Sequence, residues 1–112
     1  PNYDANHINK VSDELEAAKL VANVMIDLSH ANSRKEYDAQ IEVGNEVAKQ
    51  VRGGDNRIIG VMIESHLVAG RQDVKPGHEL IYGQSITDAC LGWENTIELI
   101  ETFAKASKKR KV

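Results

Sequence analysis

Two stretches, NVMIDLSHANS at residues 23–33 and GVMIESHLVAG at residues 60–70, share the pattern that settles the fold class. Each opens on an apolar run of strand length and closes on an acid, a serine and a histidine. Runs this short, rich in valine and isoleucine and bounded by polar residues, read as strands. Apolar side chains at successive positions, hence on both faces, predict parallel strands covered from both sides.

Working outward, Ile8, Val11, Leu15 and Ala18 recur at helical spacing and predict a helix between Ile8 and Ala22, feeding the strand at Val24-Met25-Ile26. Ser33-Arg34-Lys35-Glu36 has the capping-box form, and Tyr37, Ile41, Gly44, Val47, Ala48 and Val51 line one helix face that Gly53-Gly54 ends. A second strand is expected over Arg57 to Ile63. Between Ala69 and Gln84, Lys75-Pro76-Gly77 and Tyr82-Gly83 interrupt every period and predict a loop. Ser85 to Cys90 reads as a third short strand, leading into a helix with Trp93, Ile97, Ile100, Phe103 and Ala104 on one face. Met25, Met62 and Trp93 are expected in the core.

This alternation places the chain in the α/β class, as one segment of a single domain over residues 1–112 with no internal boundary. Three parallel strands leave their outer edges unpaired, so further strands are expected from a longer chain or another subunit. The opening on Pro1, without a methionine, agrees with a piece of something longer.

In α/β folds ligands sit at the carboxyl ends of parallel strands, where loops diverge and helix N-termini point inward. The polar residues that close each run stand at that end. His30 after the first strand, Glu64 after the second and Asp88 near the end of the third are therefore candidate site residues. One imidazole and two carboxylates suit a divalent metal with nitrogen and oxygen ligands. The same residues have ordinary alternatives: Asp88 capping the last helix, Glu64 pairing with a lysine, His30 bonding a loop backbone. His66 shares strand parity with Glu64, so it is either an accessory group or a loop histidine facing water. By the same alternation His30 and Asp27 face opposite ways, which sends Asp27 to the helix layer in need of a partner.

Other chemistries find no support. Neither phosphate-loop nor dinucleotide glycine pattern follows a strand, and a Gly-x-Ser-x-Gly elbow is absent. A single cysteine, Cys90, excludes an internal disulfide framework and fits a reducing, cytoplasmic setting. No apolar run approaches the roughly 18 residues a membrane helix needs. The net charge of −3 hides an uneven spread, with +5 on residues 105–112 from Lys105, Lys108, Lys109, Arg110 and Lys111. That tail reads as a helix end complementing the helix dipole, with nucleic-acid binding or a nuclear address as the alternative. No aromatic side chains interleave with it, and neither a nucleic-acid nor a membrane partner is expected.

The wording VMIDLSHANS, IIGVMIESHLVAG and YGQSITDACLGWENT, in this order and spacing, resembles the C-terminal third of 3-deoxy-D-arabino-heptulosonate 7-phosphate (DAHP) synthases, specifically the microbial class commonly regulated by aromatic amino acids. The resemblance implies a (β/α)8 barrel of which this chain supplies strands six, seven and eight with their helices. It implies condensation of phosphoenolpyruvate with erythrose 4-phosphate, the step that opens the shikimate pathway. It also implies one divalent metal ion (manganese, iron, cobalt or zinc) held by a cysteine, a histidine, a glutamate and an aspartate. By motif position the last three are His30, Glu64 and Asp88, while the cysteine lies on an earlier strand that this chain lacks. Cys90 cannot simply replace it, being two residues after Asp88 on the same segment. Expected partners are the two substrates, the upstream part of the same barrel and further copies in a homo-oligomer. The alternatives are a non-catalytic metal-binding or assembly module, or a related sugar-acid phosphate synthase. Arg34, Lys35 and Arg71 are the few cations near the strand ends, and none is assigned a phosphate.

Overall fold

The computed structural model describes residues 1–110 of the chain. Helix α1 (Ala5–Ala17) starts after Asp4, whose extended backbone and side-chain hydrogen bond with His7 Nδ1 mark the entry. It stops in a Schellman motif in which Leu20 N–H reaches Leu15 O at 2.9 Å and Lys19 occupies the left-handed position. The helix therefore ends short of the expected Ala22. Ile8 and Ser12 face inward while Val11 is exposed.

Strands β1 (Val24–Asp27) and β2 (Ile58–Met62) pair in parallel, Ile26 opposite Val61 and Asp27 opposite Met62. Helix α2 (Ala39–Arg52) crosses between them and ends at Gly53-Gly54 as expected, again in a Schellman motif, with Gly54 at φ 105°. Its start differs from the capping-box reading. Ser33 Oγ donates to His30 O, Arg34 and Lys35 adopt left-handed φ of 55° and 61°, and the helix begins only after Asp38. Tyr37 accordingly lies outside the helix.

The region after β2 departs further from expectation. Residues 69–84, read as loop, overlap strand β3 (Val68–Arg71), which pairs in parallel with the two-residue strand β4 (Gln84–Ser85). No regular strand runs from Ser85 to Cys90. Thr87 N–H donates to Ser85 Oγ at 3.1 Å, a side-chain turn that lifts the chain out of pairing. The join to β2's extension is a single parallel bridge, Ser65 to Leu91, while Gly70 bridges Cys90 in antiparallel sense.

Helix α3 (Trp93–Arg110) then packs on α2, where Gly44 admits Leu99. Its inward face is Thr96, Leu99 and Ala106, with Phe103 half-buried, rather than the stripe through Trp93, Ile97 and Ile100, all three of which are exposed. Lys108, Lys109 and Arg110 form its last turn, where Arg110 donates to Asp55 O and Ile58 O; Lys111 lies outside the described residues.

The two helices cover one face of the β1–β2 pair, burying Ile26, Leu28 and Ile58 with Val43, Val47 and Leu99. The opposite face carries Met25 at 65% exposure, and Ile59, skipped where the register of the pair shifts, is 63% exposed. Met25 and Trp93 are thus not core residues, and the two-sided covering expected of both strands is present on one side. A radius of gyration of 16.3 Å, against about 13 Å for a compact domain of this length, reflects the same one-sided layering.

Candidate metal centre at the strand ends

Beyond Asp27 the chain turns sharply, and the turn is written into the residues. Asp27 Oδ1 accepts from Ser29 N–H at 2.8 Å and from Ser29 Oγ at 2.6 Å, an Asx-type turn. His30 follows at φ 50°, a left-handed conformation that histidine tolerates better than most residues. Strand alternation ends there. Asp27 therefore does not face the helix layer: its Oδ2 meets His30 Nδ1 at 2.8 Å, and the partner its carboxylate required is that imidazole.

The other ring nitrogen, His30 Nε2, lies 3.7 Å from Glu64 Oε2 and 3.6 Å from Asp88 Oδ2. One donor atom from each of the three residues falls within 4.8 Å of the others. The three side chains come from separate segments and line one cavity of about 280 Å³ with Ser33, Lys35, Tyr37, Arg71 and Thr87. Among the described residues neither Glu64 nor Asp88 pairs with a lysine or arginine, and His30 bonds a carboxylate, so the ordinary alternatives for Glu64 and His30 are not those realised. An imidazole and two carboxylates that no lysine or arginine among the described residues pairs are a donor set that a divalent ion fits.

Each arm is held from behind. The Glu64 peptide is clasped by Gln40, which is fully buried on the first turn of α2. The Asp88 segment is stitched to β3: Arg71 Nε donates to Thr87 O at 2.9 Å, and Gly70 and Cys90 exchange both backbone bonds. Arg71 is held in turn by Asp73 at 2.7 Å. His66 stands apart, exposed, its Nδ1 accepting from Leu67 N–H at 2.8 Å, as a loop histidine would.

Electrostatics follow the contacts. The hydrogen bond to Asp27, reinforced by the charges of Glu64, Asp27 and Asp88, holds His30 above the ordinary 6.5. For Asp27, partial desolvation pushes upward, but the hydrogen bonds from Ser29 and His30 together outweigh it and leave the carboxyl below the usual 3.8. Burial raises the Cys90 thiol, helped by the Glu64 and Asp88 charges, and its Sγ turns back on Asp88 O at 3.4 Å.

Asp27, Gln40 and Arg71 carry structural duties at the site that spacing alone did not reveal. Asp27 had a readable signal, an acid two residues before a serine and three before a histidine. Gln40 had none, because its partner is 24 residues away.

A model of the DAHP synthetase I family matches residues 1–101. The chain is 51% identical over 111 residues to the Phe-sensitive phospho-2-dehydro-3-deoxyheptonate aldolase of Escherichia coli strain K12, covering 99% of this chain and 32% of that protein. Against the tyrosine-inhibited aldolase of Schizosaccharomyces pombe the identity is 48%, over 99% of this chain and 31% of the relative. Among solved structures, the phospho-2-dehydro-3-deoxyheptonate aldolase from Francisella tularensis SCHU S4 superposes with a TM-score of 0.93 at 42% identity, covering 100% of this chain and 32% of that one. The chain thus spans about a third of the length of these relatives. Matched by the family pattern over nearly its whole length, it belongs to the DAHP synthetase I family.

Proposed function

We propose that the chain is the C-terminal segment of a DAHP synthase, supplying strands six to eight of a (β/α)8 barrel and three of the ligands of its divalent metal. The reaction is condensation of phosphoenolpyruvate with erythrose 4-phosphate to DAHP. The observation that carries this reading is the convergence of His30 Nε2 with one oxygen each of Glu64 and Asp88, at 3.7 and 3.6 Å, from segments distant in the chain.

In this reading His30, Glu64 and Asp88 hold the ion, which when bound supplies Lewis-acid polarisation of the aldehyde oxygen. Glu64 is kept at the cavity wall by Gln40, and Asp88 by the bonds from β3. Lys35 and Arg71 bring positive charge to a wall that also carries the Glu64 and Asp88 carboxylates, which favours entry of anionic substrates. In this reading the rest of the barrel packs on the face that leaves Met25 exposed. The 112 residues alone lack that remainder and are expected to be inert.

The test is an assay of the full-length protein containing this chain, with both substrates, after chelation and after adding manganese. Activity should vanish on chelation, return with manganese, and fail to return in Glu64→Gln or Asp88→Asn. Full activity in the chelated protein or in both variants would contradict the reading.

A further inference from the structure

We propose that Asp27 is a positioning residue that fixes His30 in its Nδ1–H tautomer and so keeps the Nε2 lone pair turned toward Glu64 and Asp88. The argument begins with proton counting. A carboxylate only accepts hydrogen bonds, so the ring nitrogen 2.8 Å from Asp27 Oδ2 must carry the hydrogen. Ser29 Oγ also lies 2.9 Å from Nδ1, but its one proton is committed to Asp27 Oδ1 at 2.6 Å, so toward the imidazole it too accepts. A neutral imidazole has a single ring proton, which leaves Nε2 bare on the side of the cavity. The opposite tautomer would set the Nδ1 lone pair against an anion.

Asp27 is itself immobilised. Its Oδ1 takes two bonds from Ser29, and its backbone carbonyl takes one from Asn32 Nδ2 at 2.7 Å. The left-handed backbone at His30 is what allows a residue three positions along to fold back onto this carboxylate. The turn DLSHAN is therefore a device for presenting one nitrogen in one direction, and a ligand so oriented surrenders no tautomeric or rotational freedom when a cation arrives.

This inference rests on the metal reading for its purpose, but its first readout does not. In the metal-free full-length protein, labelled with 15N-histidine and held at a pH where His30 is neutral, nitrogen chemical shifts should report the Nδ1–H form. Asp27→Asn, whose amide oxygen still accepts, should keep it. Asp27→Ala should move His30 toward Nε2–H and lower Mn2+ affinity, read by the loss of the free-ion electron paramagnetic resonance signal, by about 10- to 100-fold, with the asparagine variant affected less. An Nε2–H form in the unsubstituted protein overturns the proposal, and so do unchanged tautomer and affinity in the alanine variant. Should manganese fail to bind while the tautomers behave as described, the metal reading falls and the role of Asp27 in setting the tautomer stands.

Discussion

Gln40 and Glu64 form a two-bond clasp: Gln40 Nε2 donates to Glu64 O at 3.1 Å, and Glu64 N–H donates to Gln40 Oε1 at 2.9 Å. Leu91 N–H also reaches Glu64 O, at 3.0 Å, so the carbonyl has a second donor while the amide has only the glutamine. Gln40→Leu should leave that amide unpaired beside a buried side chain and destabilise the fold by about 1–3 kcal/mol. Urea unfolding measures the loss, and the same variant should bind manganese more weakly in the full-length protein because the Glu64 arm is no longer fixed.

Gly44 of α2 lies directly against Leu99 of α3. A Cβ there would meet Leu99 Cδ1 at 2.6 Å and Leu28 Cδ1 at 3.3 Å, both on buried side chains. Gly44→Ala gains about 1 kcal/mol of helix propensity but should lose about 1–3 kcal/mol to overpacking. Pairing it with Leu99→Ala should cost less than the two single changes added together, a coupling that thermal unfolding of the four proteins would detect.

Asp55 supplies the acid-sensitive contact. The Arg57 side chain, hydrogen-bonded to it at 2.9 and 2.8 Å, holds its carboxyl below the ordinary 3.8 against an upward push from burial. A carboxyl depressed in the folded state stabilises above its unfolded pKa, and that stabilisation is lost as the pH falls through the folded value. Asp55→Asn should therefore be less stable than the parent near neutrality, with the gap closing in acid below the ordinary 3.8. Denaturation midpoints across pH check the sign.

The bare face of the β1–β2 pair predicts the behaviour of the 112 residues by themselves. Met25 and Ile59 are both more than three-fifths exposed, and among the described residues β1 pairs on one side only. The isolated chain should self-associate in light scattering, and Met25→Lys with Ile59→Lys should reduce that association. The same double substitution placed in the full-length protein should instead destabilise it, because on the proposed reading the rest of a barrel packs on this side.

The elements easiest to read were those whose neighbours lie in this chain. The α2 stripe through Gly44, Val47, Ala48 and Val51 is buried as its period suggests, because α3 packs directly on it. The α3 stripe was misassigned because that helix has apolar residues on two sides, and Trp93 and Ile100 occupy the outward one. Periodicity cannot tell which of two apolar faces this chain covers. The Ser33 capping box failed because the serine hydroxyl is spent on His30 O and two left-handed residues follow. At the site, the rule that ligands gather at parallel strand ends singled out His30, Glu64 and Asp88. Their mutual distances depend on the Asp27 turn, the Gln40 clasp and the β3 stitching, none of which a spacing shows.

Whether His30, Glu64 and Asp88 share one cation is read out by anomalous diffraction at the manganese absorption edge from crystals of the full-length protein grown with Mn2+. One anomalous peak is expected in this region, about 2.0–2.2 Å from His30 Nε2 and from one oxygen each of Glu64 and Asp88, and no such peak in crystals of Glu64→Gln. A fully occupied manganese ion at a site that excludes these three side chains would contradict that expectation.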